Sequence, residues 1–235
     1  MTYYDVDHRR AAGALIDEGL RAYMQRVYGY MAGGLTLTGI VAYAAAVSGF
    51  YQSIAGTPLI WVVMLAPLAF VFVLSFGIQR MSAGTATMLF WVYAAVMGLS
   101  LGSIFLVYTG ASIARVFFIT AATYGAMSLY GYTTKTDLSR FGSFLLMGVV
   151  GIVIASIVNI FLQSSGFQFV ISVIGVLVFV GLTAYDTQRI KEMYLESDTG
   201  EAAGKKAVMG ALSLYLDFIN LFTMLLQLFG QRRES

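Results

Sequence analysis

Long apolar runs, separated by short charged stretches, dominate the chain. The stretches that lack charged residues, apart from Asp217 in the last one, are 27–79, 81–114, 116–134, 141–185 and 207–231. A helix needs about 20 residues to cross the hydrocarbon core of a bilayer. The first and fourth runs are long enough for two crossings each, and turn signals divide them at Gly56-Thr57-Pro58 and Gln163-Ser164-Ser165-Gly166. The pattern therefore predicts seven transmembrane helices, at about 28–50, 59–79, 86–108, 114–132, 142–162, 167–188 and 207–229.

Composition agrees with this pattern. Of the 235 residues, 59% are hydrophobic and 11% are charged, against about 25% charged in an ordinary soluble domain, and the mean hydropathy is +0.79. A soluble core of this size cannot hide so much apolar side chain. We therefore expect an all-α polytopic membrane protein, with a cytoplasmic N-terminal segment at 1–26 and one seven-helix domain at 27–231. The net charge of +2 is too small to favour a nucleic acid partner.

The chain lacks the residue types that most enzyme mechanisms need. It has no cysteine, and His8 is its only histidine. A thiol nucleophile, a cysteine-ligated metal and a Ser–His pair inside the fold are thereby excluded. The Gly98-Leu-Ser-Leu-Gly102 segment lies within an apolar run, so it predicts close helix packing rather than a nucleophile turn, as does Gly29-x-x-x-Gly33. We expect neither enzymatic activity nor a cofactor, and an intramembrane hydrolase is a poor third choice.

Basic residues set the expected orientation, because short cytoplasmic loops are rich in Lys and Arg. A cytoplasmic N-terminus places eleven of the fourteen basic residues inside and leaves Arg115, Arg232 and Arg233 outside. The last helix has an alternative, since a re-entrant hairpin at 207–229 would return Arg232 and Arg233 to the inside. Its length favours a full crossing.

Asp217 is the most informative residue, because a carboxylate within an apolar span is costly and usually faces the interior of the bundle. Other polar residues lie on the same side of this helix. The positions i, i+4, i+7, i+11 and i+14 are occupied by Ser213, Asp217, Asn220, Met224 and Gln227. We expect a polar seam along this helix, with Ser213, Asn220 and Gln227 as candidate pore-lining residues. The alternative is a structural acid that is held by hydrogen bonds.

Asp186 is the candidate partner of Asp217. If the sixth helix continues to about Lys191, Asp186 lies roughly 8 Å inside the helix end and approaches the depth of Asp217. Two carboxylates in a dry environment cannot both ionise cheaply, so they share a proton. The pair would then sense protons and could hold a transient Ca²⁺, and flux that it controls should change between about pH 6 and 8. Arg80, at the end of the second span, is the candidate cation that latches the pair, or else an ordinary positive-inside arginine.

Two segments resemble the Bax inhibitor-1 (TMBIM) family in its bacterial branch. They are Gly181–Lys191 (GLTAYDTQRIK) and Ala211–Phe222 (ALSLYLDFINLF). The resemblance implies a fold in which a central seventh helix is wrapped by the other six. It also implies a pH-dependent calcium leak gated by an aspartate pair, at Asp186 and Asp217, and an arginine latch, at Arg80.

The resemblance also leaves a second class of function open. Other bacterial relatives are linked to restraint of a membrane-anchored AAA+ protease, which would make this chain a regulatory binding protein without a pore. The expected partners are accordingly the lipid bilayer, calcium ions and protons, with a membrane protease as the alternative. The expected location is the bacterial cytoplasmic membrane.

Overall fold

A computed structural model describes the backbone of residues 3–233 and the side chains of residues 18–233. Within this part the chain is helical, and a short 3-10 turn at Ile78–Arg80 follows the third helix. The helices are α1 (Tyr3–Val47), α2 (Phe50–Ile54), α3 (Leu59–Gly77), α4 (Ala83–Leu101), α5 (Ile104–Val107), α6 (Gly110–Thr133), α7 (Ser139–Leu162), α8 (Ser165–Glu192) and α9 (Gly200–Phe229).

Seven of the described helical segments are long and apolar enough to cross a membrane, which confirms the predicted fold class. They comprise α1 from Glu18 onward, α3, α4, α6, α7, α8 and α9, and the segments that include α3 and α4 extend to Arg80 and Val107. The helix α1 continues without a break from the N-terminal segment into the first span. The predictions that concern residues 1, 2, 234 and 235, and those that concern side chains before residue 18, lie outside the described residues.

The last helix, α9, lies at the centre of the bundle. In its most apolar 18-residue window 72% of the residues are buried, whereas the corresponding windows of α3 and α7 are only 11% buried. The helices α1, α4, α6 and α8 pack on α9, while α3 packs mainly on α4 and α7 mainly on α8. The central position is therefore confirmed, but four helices, rather than six, supply the principal contacts. Small residues at Ala207, Gly210 and Ala211 let the neighbouring helices approach.

Glycines allow the closest helix contacts. A Cβ atom on Gly98 would lie 2.7 Å from the carbonyl oxygen of Thr38, and one on Gly102 would lie 2.8 Å from that of Ala42. The predicted role of these two glycines in helix packing is therefore confirmed for α4 against α1. Of the other predicted pair, Gly33 meets the ring of Trp91, but Gly29 has open space around it, so the prediction for Gly29 is wrong.

The loop between α8 and α9 is short, because both helices extend into the polar connector. The helix α8 ends at Glu192, and α9 begins at Gly200 with Thr199 as its cap, whose hydroxyl accepts the N–H of Ala202. Lys206 closes the loop by donating to Asp198 at 2.7 Å and to the carbonyl oxygen of Met193 at 2.9 Å. The charged connector between the last two predicted spans thus forms the end of α8 and the start of α9 as well as the loop between them.

At the opposite end of α9 the chain pairs with the segment before α6. The N–H of Thr109 donates to the carbonyl oxygen of Gln231 at 3.0 Å, and the N–H of Arg233 donates to that of Val107 at 2.9 Å. Gln231 also donates its N–H to the hydroxyl of Ser112 at 2.8 Å. The helix α9 is continuous over 30 residues, or about 45 Å, so the re-entrant alternative is wrong.

Candidate functional site at a buried aspartate pair

The helices α8 and α9 bring Asp186 and Asp217 close enough for their carboxyl groups to interact with each other. Asp217 is 5% exposed, and Asp186 is half-buried. Because α8 continues to Glu192, Asp186 lies about 9 Å inside the end of its helix. Asp217 lies about 18 Å from the far end of α9, at Phe229. Both residues therefore lie inside the bundle, Asp186 near the loop between α8 and α9 and Asp217 near the middle of α9.

One oxygen of Asp217 defines the chemistry of the pair. Its Oδ2 atom is buried and receives no hydrogen bond from an N–H or O–H group of the described residues. A bare carboxylate in this environment would lose its hydration without compensation, at a cost of several kcal/mol. A single proton shared with Asp186 removes one negative charge and supplies the missing hydrogen bond at once.

Hydrogen-bonded hydroxyl groups link three helices at the residue that follows Asp186. Tyr28 of α1 and Ser128 of α6 share a hydrogen bond of 2.5 Å, and Ser128 shares another of 3.0 Å with Thr187, which follows Asp186. Thr187 also donates to the carbonyl oxygen of Thr183 at 2.7 Å. Tyr124 of α6 lies close enough to interact electrostatically with both carboxyl groups, and its hydroxyl is buried without a hydrogen-bond partner. Tyr124 is thus the hydroxyl residue that the structure links to both carboxyl groups.

The cation that interacts with the pair is Arg189, which is exposed, lies one turn beyond Asp186 on α8 and acts on it electrostatically. Arg80, the residue that the sequence suggested as a latch, is exposed at the end of the 3-10 turn. Among the described side chains it forms neither a hydrogen bond nor an ion pair. Arg189 likewise forms neither a hydrogen bond nor an ion pair among the described side chains, so its electrostatic interaction with Asp186 is what distinguishes it from Arg80.

The polar seam of α9 divides into two parts. Near Asp217, Ser213 and Asn220 are half-buried, and Asn220 donates to the carbonyl oxygen of Leu216 in its own helix at 2.9 Å. At the far end, Gln227 accepts from Gln168 at 2.7 Å. Between the two parts, Met224 packs against Gly175 of α8.

The distant part of the seam is a network of amides and hydroxyls that lines a cavity of about 500 Å³. Gln168 of α8 accepts from Asn159 of α7 at 2.9 Å, and Ser172 donates to Gln227 at 2.8 Å. Arg232 also lines this cavity. Two polar regions, one around the Asp pair and one around Gln227, therefore lie along the α8–α9 contact, with Met224 between them.

A resident metal site would need more ligands than the pair supplies. Among the described residues no group of three or more His, Cys, Asp or Glu side chains is positioned to hold a metal ion. Ca²⁺ takes six to eight oxygen ligands, so Asp186 and Asp217 could provide only part of its coordination and water would have to provide the rest.

Sequence reasoning identified Asp217 and Asp186 but missed their neighbours Tyr28, Tyr124, Ser128 and Arg189. Hydroxyl residues are common in apolar spans and carry no individual signal. For Arg189, the signal was its spacing of three residues from Asp186, since residues at i and i+3 share a helix face. The remaining neighbours come from α1 and α6, and only the packing of these helices brings them to the pair.

The comparisons with known proteins agree with the fold and with the motifs. The family model described as inhibitor of apoptosis-promoting Bax1 matches residues 20–234. The inner membrane protein YbhL of Escherichia coli K12 is 53% identical over 219 residues, which cover 92% of this chain and 94% of that protein. An uncharacterised protein of Caulobacter vibrioides is 47% identical over 93% of this chain and 92% of its own. An uncharacterised membrane protein of Streptococcus pyogenes serotype M3 is 36% identical over 92% of this chain and 95% of its own.

The family match covers nearly the whole chain, including all seven candidate spans from position 20 onward and both segments that carry the aspartates. The identities to full-length relatives are far above the level at which shared ancestry is in doubt. The chain belongs to the Bax inhibitor-1 family of membrane proteins.

Proposed function

We propose that this protein is a pH-regulated, calcium-permeable leak channel of the cytoplasmic membrane. The observation that carries the proposal is the contact between two carboxyl groups inside a membrane bundle, one of which has an oxygen without any other hydrogen-bond partner. Intramembrane acids of this kind commonly belong to ion or proton pathways. The name of the Escherichia coli relative, an inner membrane protein, supports the location.

The shared proton is the gate in this mechanism. While Asp186 and Asp217 share it, their hydrogen bond ties α8 to the central helix α9. Loss of the proton leaves two negative charges in contact, which repel each other and attract a divalent cation. Opening is therefore favoured as the pH rises through the range in which the pair releases its proton, and this range belongs to the pair rather than to either residue.

The rest of the path follows the α8–α9 contact. The network at Gln168, Ser172 and Gln227 offers oxygen atoms at the far end, and Asn220 and Ser213 continue the polar surface near the pair. Met224, packed on Gly175, closes the path between them. Separation of α8 from α9 would withdraw the Met224 side chain from Gly175 and join the two polar regions, as a cation pathway requires.

Purified protein in liposomes that contain a calcium dye provides the test, with influx followed from pH 5 to pH 8.5. We expect wild-type influx to rise with pH. Asp217→Asn and Asp186→Asn each remove one of the two charges, so the pH dependence between about pH 6 and 8 should shift or vanish in both. Asp137→Asn is the matched control, because it makes the same chemical change in an exposed loop, and it should keep the wild-type profile.

Two results would overturn the proposal. If both single variants keep the wild-type pH profile, the pair does not gate the flux and Asp217 has a structural role. If folded wild-type protein gives no calcium flux at any pH, conduction is wrong, and a non-conducting regulator of a membrane protease or stress pathway becomes the better description.

The same assay separates the two candidate cations. Arg189 stabilises the charged form of the pair, so Arg189→Ala should move the pH profile to higher pH. Arg80→Ala should leave the profile unchanged if Arg80 only follows the positive-inside rule. A changed profile in Arg80→Ala together with an unchanged one in Arg189→Ala would instead restore Arg80 as the latch.

A further inference from the structure

A groove separates α1 from α6 along the side of the bundle. Its wider part, about 780 Å³, begins at Arg21 and Gln25 and ends at Leu35 and Phe218. A second cavity of about 310 Å³ shares Leu35 and Phe218 with it and continues to Gly110. Both α1 and α6 pack on α9, which forms the floor of the groove through Phe218. Because α1 and α6 both cross the membrane, the open side of the groove faces the lipid.

Small residues make the groove concave. Gly125 on α6 and Gly39 on α1 line it, and a Cβ atom on either would meet no heavy atom of its surroundings within 4 Å. Ala32 and Ala121 lie on its walls as well. The open space around these small residues leaves a depression in the surface that faces the lipid. A flexible acyl chain can fill such a depression closely.

Most hydroxyl groups on the walls are already hydrogen-bonded, and the hydroxyl of Tyr124 is the buried one without a partner among the described residues. The hydroxyls of Tyr28 and Ser128 are bonded to each other, and Ser128 also reaches Thr187. A buried water needs two to four polar partners, whereas the outer cavity is lined by apolar residues and glycines apart from Thr38. Thr38 itself is bonded to Tyr215 and to the carbonyl oxygen of Ala94.

The dimensions and charge of the groove match one leaflet of a bilayer. From Arg21 to Leu35 the helix α1 rises about 21 Å, while the hydrocarbon part of one leaflet is about 15 Å thick and the head groups lie beyond it. Arg21 and Gln25 are exposed at the mouth of the groove. A cation at this level attracts the phosphate of an anionic lipid.

We propose that the α1–α6 groove binds one anionic phospholipid of the inner leaflet, with an acyl chain along Ala32 and Gly125 and the head group at Arg21. Gly125→Trp fills the groove and should abolish retention of this lipid. Arg21→Ala removes the cation at the mouth, so the preference for an anionic over a zwitterionic head group should fall about fivefold.

Native mass spectrometry of the protein released from nanodiscs of phosphatidylglycerol and phosphatidylcholine measures both effects. The wild type should retain one phosphatidylglycerol. Two matched controls should behave like the wild type: Gly151→Trp, which makes the same change at an exposed glycine of α7 with open space around it, and Arg26→Ala, at an exposed arginine of α1 that does not line the groove. Equal retention in Gly125→Trp and Gly151→Trp, or equal loss of preference in Arg21→Ala and Arg26→Ala, would overturn the proposal.

A second measurement distinguishes lipid from water in the groove. Because the chain has no cysteine, Gly125→Cys and Gly151→Cys each introduce a single thiol. A charged, water-soluble thiol reagent should modify both slowly in a bilayer, since both thiols face acyl chains. Rapid modification at position 125 alone would show a water-filled crevice and contradict the lipid site. Neither readout depends on calcium flux, so failure of the lipid site leaves the proposed channel function untouched.

Discussion

Each residue of Tyr185–Gln188 contacts a different neighbour. The Tyr185 side chain lies where a Cβ atom on Gly142 of α7 would be, Asp186 meets Asp217, and Thr187 bonds to Ser128. Gln188 accepts the N–H of Leu138 at 2.8 Å and donates to the carbonyl oxygen of Thr136 at 2.9 Å, so it fixes the loop between α6 and α7. One turn of α8 therefore holds α6, α7 and α9 in register around the carboxyl pair.

The loop that Gln188 holds also contains a carboxylate with a testable pKa. Ser139 donates its hydroxyl and its backbone N–H to Asp137, and these bonds, with a smaller contribution from the charge of Arg140, hold the pKa of Asp137 below its ordinary value. The stabilisation is present above the ordinary pKa and is lost as the pH falls through the lowered one. Ser139→Ala should therefore raise the pKa of Asp137, as measured by NMR titration of its carboxyl carbon.

Arg140→Ala serves as the comparison in this titration, because it removes only the weaker, charge-based contribution. We expect a smaller rise in the pKa of Asp137 than in Ser139→Ala. An equal or larger rise would mean that charge, and not hydrogen bonding, sets this value.

Residue chemistry alone predicted the two aspartates but not their surroundings. Asp217 stands out because it interrupts an apolar run, and Asp186 because a slightly longer helix carries it inward. Tyr124 gives no such signal, since its buried hydroxyl is visible only when α6 lies against α9. Arg80 is a different case, because its exposed position at the end of a span is compatible both with a latch and with an ordinary positive-inside arginine.

At the scale of helices, the contact of α6 with α8 depends on one glycine. A Cβ atom on Gly131 would overlap the backbone of Ala184, because the carbonyl group of Ala184 lies far inside van der Waals contact distance. Gly131→Ala must therefore push α6 away from α8, at a cost of about 1–3 kcal/mol in the free energy of unfolding. Thermal unfolding in detergent should show the loss as a lower midpoint.

Gly125→Ala is the matched control on the same helix, because the space around that position is open. Its free energy of unfolding should stay within about 0.5 kcal/mol of wild type. Equal midpoints for the two variants would contradict the close contact of Gly131 with Ala184.

Hydrophobic runs predicted where helices occur better than where they end. The predicted spans at 59–79 and 142–162 fall close to α3 and α7, whereas α8 and α9 extend four and seven residues into the charged connector. Helix ends depend on local caps and tertiary bonds, such as the Thr199 hydroxyl on Ala202 and the contact of Lys206 with Asp198. Hydropathy contains no information about either.

At the scale of the whole molecule, the two ends of the bundle differ in charge. Arg115, near the start of α6, and the pair Arg232 and Arg233 lie at one end, because the segment after α9 is bonded to Val107–Thr109. Lys135, Arg140, Lys191 and Lys206 lie at the other end, beside the loops that follow α6 and α8. This asymmetry predicts that the second end lies in the cytoplasm.

The position of the C-terminus follows from this arrangement. Alkaline phosphatase fused after Ser235 should be active, since it would lie outside the cytoplasm, and green fluorescent protein at the same position should be dark. Fusions in the cytoplasmic loop after Ser197 should give the reverse pattern. Fluorescence from the fusion after Ser235 would contradict both the orientation and the single crossing of α9.

The central place of α9 also has a consequence for biosynthesis. Every other span leaves the ribosome before α9, so the six earlier helices enter the membrane without the segment that later fills the space between them. Until α9 arrives, Asp186 faces this space without its partner, and the inner faces of α1, α4, α6 and α8 have only lipid, the translocon or each other to contact. The bundle can therefore be completed only after α9 has been made, and the carboxyl group of Asp217 enters a membrane that already contains Asp186.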